Sequence, residues 1–326
     1  MRYICTSCGG EFLKWSGKCP NCGQWGTLEE SEEIVVDNSG AKKALKAKYS
    51  AISEQKGDSH VDSRISTGYQ EVDRVLGSGL IPGEVVLISG EPGIGKSTLL
   101  MQIVQKFSNK KVLYVCGEES PGQLNSRLLR LSGSRTPSKL GENFMVTEDV
   151  CVENIVALIE EEEFDLIVVD SIQSVSSMQS RSYPGSISQV RICGAMLTRI
   201  AKIKRIPMFI VGQINKGGDI AGPKVLEHIV DCVLYLEGDQ YNQYRILRGM
   251  KNRFGSTNEI GVFEMTGEGL LEVGNPSLVF LENDTKSSGS AIGAVLQGSR
   301  VVFVEVQALV VERESTGGPM MRIANG

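Results

Sequence analysis

One octapeptide limits this chain more than any other stretch: Gly90-Glu91-Pro92-Gly93-Ile94-Gly95-Lys96-Ser97 satisfies G-x-x-x-x-G-K-[ST] at every constrained position. The pattern carries meaning only between a strand and a helix, and both flanks comply. Residues 84–89 form an apolar run that reads as a buried strand, and Lys96 to Phe107 has helical spacing. Such a loop wraps backbone N–H groups around phosphate oxygens, so its side chains must be small, and the helix N-terminus adds partial positive charge. Gly90, Glu91, Pro92, Gly93, Ile94, Gly95, Lys96, Ser97 and Thr98 are therefore the candidate nucleotide-binding residues. Lys96 is expected to reach the β- and γ-phosphates, and the Ser97 hydroxyl to ligate Mg²⁺.

The chain around this loop repeats the same alternation. Further strands are expected at Lys111 to Cys116, Phe164 to Asp170, Ile206 to Gly212, Cys232 to Leu236 and Tyr244 to Gly249. Helices are expected at Pro121 to Leu131, Val152 to Glu162 and Ile187 to Ile203. Wholly apolar strands alternating with helices predict an α/β fold whose mostly parallel sheet is covered on both faces. The 326 residues exceed one ordinary core and suggest two or three domains. The expected division is 1–28, a small metal module; 29–63, a linker; 64–270, the nucleotide-binding domain; and 271–326, the start of a further domain. The linker reading rests on Glu29, Glu30, Glu32 and Glu33 followed by Lys42, Lys43, Lys46 and Lys48, with few large apolar residues between them. A net charge of −5 means that any nucleic-acid site must be a local basic patch. No run approaches the roughly 18 apolar residues of a membrane span, and Met1-Arg2-Tyr3-Ile4-Cys5 opens no signal peptide. A cytoplasmic location with reduced thiols is the expectation, so paired cysteines suggest metal before disulfide.

Cys5-x-x-Cys8 and Cys19-x-x-Cys22 are two matched knuckles. Each sets two thiolates on one tight turn, and together they offer tetrahedral S₄ coordination to zinc, with no position left open for water. The alternatives are a redox dithiol or chance clustering. Gly9 and Gly23, each directly after a knuckle, relieve the backbone there. Trp15 and Trp25 read first as cover for the small core, with base stacking as the alternative.

Asp170 ends an apolar strand, where a carboxylate faces the phosphates and can hold Mg²⁺ through water. Glu118 and Glu119 follow another strand. Either can polarise an attacking water, or both can be the acidic first turn of the next helix. Gln213, at a third strand end, can sense the γ-phosphate. Asn215-Lys216-Gly217-Gly218-Asp219 has one residue too many for a guanine reader, so ATP is the expected nucleotide.

Four stretches together resemble one family. They are Lys14-Trp15-Ser16-Gly17-Lys18-Cys19-Pro20-Asn21-Cys22, the loop GEPGIGKST, GEES at 117–120, and Lys251-Asn252-Arg253-Phe254-Gly255. The chain is similar over nearly its whole length to the bacterial RadA (Sms) proteins of DNA repair. The resemblance implies a RecA-like P-loop NTPase core, with ATP, Mg²⁺ and Zn²⁺ as cofactors. It implies a DNA-dependent ATPase of homologous recombination, acting as a hexameric ring on single-stranded and branched DNA, with branch migration or helicase action alongside RecA. It also implies roles for individual residues: Glu118 activates water, Glu119 assists, Gln213 is the switch, and Lys251 and Arg253 reach a neighbouring subunit's nucleotide. The loops after Asp170 and after Gln213, which line the channel of such rings, are read as carrying Arg181, Arg191, Lys216 and Lys224; these are the DNA-contact candidates, the alternative for each being a plain surface charge. Gly274 to Gly326 resembles only the opening of a Lon-protease-like domain, so the chain is expected to be a fragment of a longer protein, without peptidase activity. Two other classes share some of these features: a KaiC-like ATPase and autokinase, and a zinc-bearing adaptor that uses nucleotide only as a switch.

Overall fold

A computed structural model describes residues 2–6, 11–12, 14–31, 63–132, 143–213, 221–238, 243–277, 281 and 289–308. In chain order the elements begin with β1 (Arg2–Cys5), β2 (Glu11–Phe12) and β3 (Leu28–Ser31). There follow α1 (Gln70–Leu76), β4 (Val85–Gly90), α2 (Lys96–Lys106), β5 (Val112–Cys116), α3 (Pro121–Leu131), β6 (Phe144–Thr147) and α4 (Val152–Glu161). Then come β7 (Leu166–Asp170), α5 (Ile187–Lys204), β8 (Met208–Gln213), α6 (Ala221–Glu227), β9 (Cys232–Glu237), β10 (Tyr244–Asn252), β11 (Ile260–Thr266) and β12 (Gly269–Glu272). The last two strands are β13 (Ser290–Gln297) and β14 (Arg300–Gln307).

Nine strands form one sheet in the order β12-β11-β10-β9-β4-β8-β7-β5-β6. From β9 to β6 every pairing is parallel, while β10, β11 and β12 add an antiparallel flank. The inner parallel strands β4, β5, β7 and β8 are apolar over their buried length because both faces are covered, whereas the edge strand β6 is only partly buried. Their side chains still alternate. Val86, Ile88, Tyr114, Val168 and Phe209 enter one core with Leu99, Leu100 and Ile103 of α2. Val85, Leu87, Leu113, Ile167 and Ile210 enter the other with Ile155 of α4 and Val190 and Leu197 of α5. α3 begins with a capping box, in which Ser120 and Gln123 each satisfy the other's backbone N–H, and Pro121 opens the helix.

The expected strands and helices of this core are all present. The short elements α1, β6, α6, β11 and β12 had no comparable signal, being brief or only partly apolar. His228, expected within a helix, lies one residue past α6. The expected linker falls mostly on residues 32–62, outside the described residues; β3 carries the first module to Ser31 by pairing with β1.

Residues Met1–Val273 and Gly274–Gly326 form two compact units. Among the described residues the second unit contains the antiparallel β13–β14 ribbon, with Ile292, Leu296, Val301 and Phe303 exposed. Its Ser277 Oγ accepts the Phe303 N–H at 3.1 Å.

Candidate active site

Four adjacent strands of the sheet, β4, β8, β7 and β5, end at one edge, and each delivers a polar group there. β4 ends in Gly90, whose φ of +152° lies outside the ordinary range of side-chain-bearing residues, and whose notional Cβ would stand 2.3 Å from the Leu236 carbonyl oxygen. Only glycine fits there. The loop then turns into α2, which buries Lys96 at its start. Lys96 Nζ donates to the carbonyl oxygens of Gly90 and Glu91, each at 2.8 Å, and so spans the phosphate cradle. Burial pushes its pKa down to about 8, against the negative charges of Asp170 and Glu118, which hold it up.

β7 brings Asp170 to the same edge. Its Oδ2 accepts a 2.6 Å hydrogen bond from the hydroxyl of Tyr114, a fully buried residue of β5. Burial raises the Tyr114 pKa well above its ordinary value, and the neighbouring Asp170 carboxylate adds to the effect, so the phenol stays a donor. One carboxylate oxygen is thus held from below. The next residue, Ser171, donates from Oγ to Glu118 Oε1 at 2.5 Å. Gln213, the last residue of β8, donates from Nε2 to both oxygens of Glu118, at 3.1 and 3.2 Å. Gly117 permits this convergence, because a Cβ there would lie 1.9 Å from Ser174 Oγ.

The two adjacent glutamates have different surroundings. Glu118 faces Ser171 and Gln213, whereas Glu119 is ion-paired with Arg127 of α3. Residue patterns alone left them equivalent, and only the family resemblance favoured Glu118; the turn after β5 sends Glu118 into the site and Glu119 onto a helix. Tyr114 and Ser171 carried no sequence signal. A tyrosine inside an apolar strand looks like core, and only the β5–β7 pairing, which sets Cys116 beside Asp170, brings its hydroxyl within reach.

Lys251, Asn252 and Arg253 lie at the other edge of the sheet. Asn252 pairs with Cys232, and Cys232 with Val86, so the stretch sits about 13 Å along the strand direction from Gly90. Lys251 donates to the carbonyl oxygens of Glu227 and Val230 at 2.5 and 2.8 Å. Arg253 is 3.4 Å from Asp231, a buried carboxylate that also receives Lys202 at 2.8 Å. Asn252 donates to Val75 and Leu76 and accepts the Phe254 N–H, and Arg64 donates to the Phe254 carbonyl at 2.7 Å. Gly255 packs against Gly77.

Of the DNA-contact candidates, Arg181 is exposed in the loop between β7 and α5 as expected, whereas Arg191 and Lys224, expected in loops, are exposed on the helices α5 and α6. Lys216 lies outside the described residues, as does Cys8 of the first knuckle. The other three knuckle cysteines converge: the sulfurs of Cys5, Cys19 and Cys22 all lie within 4.8 Å of one another, and those of Cys5 and Cys22 are 3.7 Å apart. Tetrahedral zinc with bonds of about 2.3 Å requires sulfurs about 3.8 Å apart, far from the ~2.05 Å of a disulfide. The donor set and its spacing therefore fit zinc. Trp15 and Trp25 correct their expectation: they stand 62% and 76% exposed, and the small core is Cys5, Cys19 and Leu28 with Tyr3 and Phe12 against it. Trp25 instead lies under the Lys18 ammonium, 5.9 Å from the ring centroid.

Comparison with known proteins agrees with this geometry. Residues 54–219 match a family described as AAA domain, and residues 3–30 one described as rubredoxin metal binding domain. The crystal structure of the RadB recombinase superposes with a TM-score of 0.51 at 24% identity, covering 64% of this chain and 99% of that one, a likeness of fold. The fold and site define a RecA-like P-loop ATPase domain preceded by a zinc-ribbon module. "DNA repair protein RadA" of Listeria monocytogenes is 46% identical over 312 residues, 95% of this chain and 67% of the relative. Its counterpart in Bacillus subtilis is 46% identical over 334 residues, 100% of this chain and 70% of that one. The chain belongs to the RadA family of DNA repair proteins and spans about two thirds of the length of these two relatives. No helix among the described residues is long and apolar enough to cross a membrane.

Proposed function

We propose that the chain hydrolyses ATP with Mg²⁺ in response to single-stranded DNA, as part of a ring-shaped motor that moves branch points in recombination intermediates. The observation that supports this most is the convergence of Lys96, Ser97, Asp170, Glu118 and Gln213 at one sheet edge. In this reading the loop Gly90 to Thr98 holds the phosphates, Lys96 neutralises the β- and γ-oxygens, and Ser97 and Asp170 position Mg²⁺. Glu118 orients the attacking water. Gln213 and Ser171 hold that carboxylate, and a γ-phosphate that draws the Gln213 amide away frees it for water. Glu119, paired with Arg127, serves the turn rather than the water.

Lys251 and Arg253 sit too far from the phosphate loop of their own chain to touch its nucleotide. That placement supports a role across a subunit boundary, where a cation would neutralise charge on the transferring phosphoryl group. The hydrogen bonds of Asn252 and Arg64, and the buried Asp231 with its partner Lys202, hold the stretch for such a contact. The zinc-ribbon module, with Cys8 as fourth ligand, is read as structural.

The test is ATP hydrolysis with and without single-stranded DNA, with Lys96→Ala as control. The expected result is turnover stimulated by DNA and abolished in the variant. Lys96-dependent turnover indifferent to DNA would sink the DNA-motor reading, and negligible turnover under both conditions would leave a nucleotide switch.

A further inference from the structure

The segment between β7 and α5 begins at the hydrolytic site and ends in an exposed aromatic ring. Ser171 touches Glu118, and Gln173 Nε2 donates to the Gln213 carbonyl at 3.4 Å. A few residues on, Tyr183 stands 88% exposed, with no hydrogen-bond or ring partner for its side chain among the described residues. An aromatic ring this exposed loses hydrophobic stabilisation of its own, yet the backbone that carries it is firmly held.

One buried glutamine does most of the holding. Gln189, 2% exposed in the first turn of α5, donates from Nε2 to the carbonyl oxygens of Ser180 and Ser182 at 2.9 Å and of Ser177 at 3.3 Å. Its Oε1 accepts the Ser177 N–H at 2.8 Å. Glu153 of α4 accepts the Ser177 hydroxyl at 2.6 Å and the Met178 N–H at 3.2 Å. The Ser186 N–H closes the turn onto the Tyr183 carbonyl at 3.1 Å. The loop is therefore fixed from two helices while its ring faces solvent. A pinned backbone and a side chain with two torsions cost little ordering entropy when something binds.

Charge decides what that something is. Arg181 is exposed two residues before the ring, and Arg191 is exposed on α5. The whole chain carries a net charge of −5, so its overall field does not draw in a polyanion and binding must rest on local groups. An exposed ring two residues from one exposed cation, with a second on the helix that follows, supplies a non-ionic component for a strand whose bases are unstacked; paired bases inside a duplex offer no free face.

We propose that Tyr183 is a stacking platform for an unpaired base of single-stranded DNA, with Arg181 and Arg191 on the flanking phosphates and Gln189 as the residue that positions the ring. The proposal rests on the single-strand reading above and names the residue that gives it affinity. Because the same segment starts at Ser171 and Gln173, a base seated on Tyr183 bears on the groups that hold Glu118.

The test is binding of fluorescently labelled oligo(dT) to the full chain, by anisotropy, for the wild type, Tyr183→Ala and Tyr183→Phe. Alanine is expected to weaken binding by about tenfold or more and phenylalanine by less than about twofold, since the ring and not the hydroxyl stacks. The dependence on salt should be unchanged in Tyr183→Ala, whereas Arg181→Gln should lower its slope by about one. On an oligonucleotide with abasic sites the wild type should fall to the level of Tyr183→Ala, and the variant should lose no more. Equal binding of wild type and Tyr183→Ala overturns the platform while the single-strand reading stands. Failure of the wild type to bind oligo(dT) overturns both. A change of oligomeric mass in Tyr183→Ala by light scattering, with DNA affinity unchanged, would mark the ring as a protein contact instead.

Discussion

Lys96 does two jobs that conflict. It must be a cation when phosphates arrive, yet α2 and β4 bury it, and burial brings its pKa down to about 8. Nucleotide phosphates restore the preference for the charged form, so binding above pH 8 takes up a proton. The sign follows from linkage: the bound state has the higher pKa, so the affinity that Lys96 contributes is complete below about 8 and declines as pH rises beyond it. Calorimetric titration with a non-hydrolysable ATP analogue and Mg²⁺ should show affinity level from pH 7 to about 8, then falling by up to about tenfold per unit. Two buffers of different ionisation enthalpy should report the proton uptake, and Lys96→Met should abolish it. The neighbouring carboxylates follow the same logic of placement. Asp170 and Glu118 each accept a hydrogen bond from a hydroxyl, of Tyr114 and of Ser171, which holds each carboxylate in one orientation.

At the scale of elements, β4 is the hub. It pairs with β8 and β9, carries the phosphate loop at its end, and receives the Asp231 carboxylate on the Val85 N–H at its start. Glu84 precedes it, 1% exposed, accepting the Ile81 N–H at 2.9 Å through one oxygen; the other oxygen has no hydrogen-bond partner among the described residues. Burial raises this carboxyl from 4.5 to about 7; the Ile81 hydrogen bond opposes the rise and Asp231 reinforces it. A raised folded-state pKa means that the protonated form is favoured by folding. Its stabilisation is complete below 4.5 and is lost as pH rises through about 7. Glu84→Gln should therefore leave denaturant stability near pH 5 little changed and raise it at pH 8 by about 1–3 kcal/mol, measured by urea unfolding at both values. A variant less stable at pH 8 would show that the ionised carboxylate is compensated by its surroundings.

For the whole molecule, the distance between the two edges of the sheet carries the consequence. Lys251 and Arg253 cannot serve their own phosphate loop, so an assembly in which they act must place one copy's start-of-strand edge against the next copy's end-of-strand edge. Mixing two inactive variants tests this. Lys96→Ala lacks a working phosphate site but has the arginine; Arg253→Ala has the site but lacks the arginine. Equal amounts, allowed to exchange subunits, should regain hydrolysis in about a quarter of the sites, because a quarter of neighbouring pairs combine an intact lysine with an intact arginine. Hydrolysis no greater than the sum of the separate variants at every ratio would count against action in trans.

The amino-acid order alone determined the phosphate loop, the apolar strands, the helices between them and the cysteine knuckles. Each of these is a local device: a short pattern whose chemistry is complete within a few residues, or a periodicity that burial imposes on one element. It also marked Asp170, Glu118 and Gln213 as strand-end groups, because a polar residue closing an apolar run lies at a sheet edge whatever its partners. Only the tertiary structure paired Glu119 with Arg127, brought Tyr114 under Asp170, turned Trp15 and Trp25 outward, and stapled the Tyr183 loop with Gln189. Only strand order could place Lys251 and Arg253 at the far edge from Lys96. The physical reason is common to all of these: they depend on which strands lie side by side and in what register. That pairing is a contest among burial, hydrogen bonding and chain entropy over the whole domain, and no single window of sequence contains it.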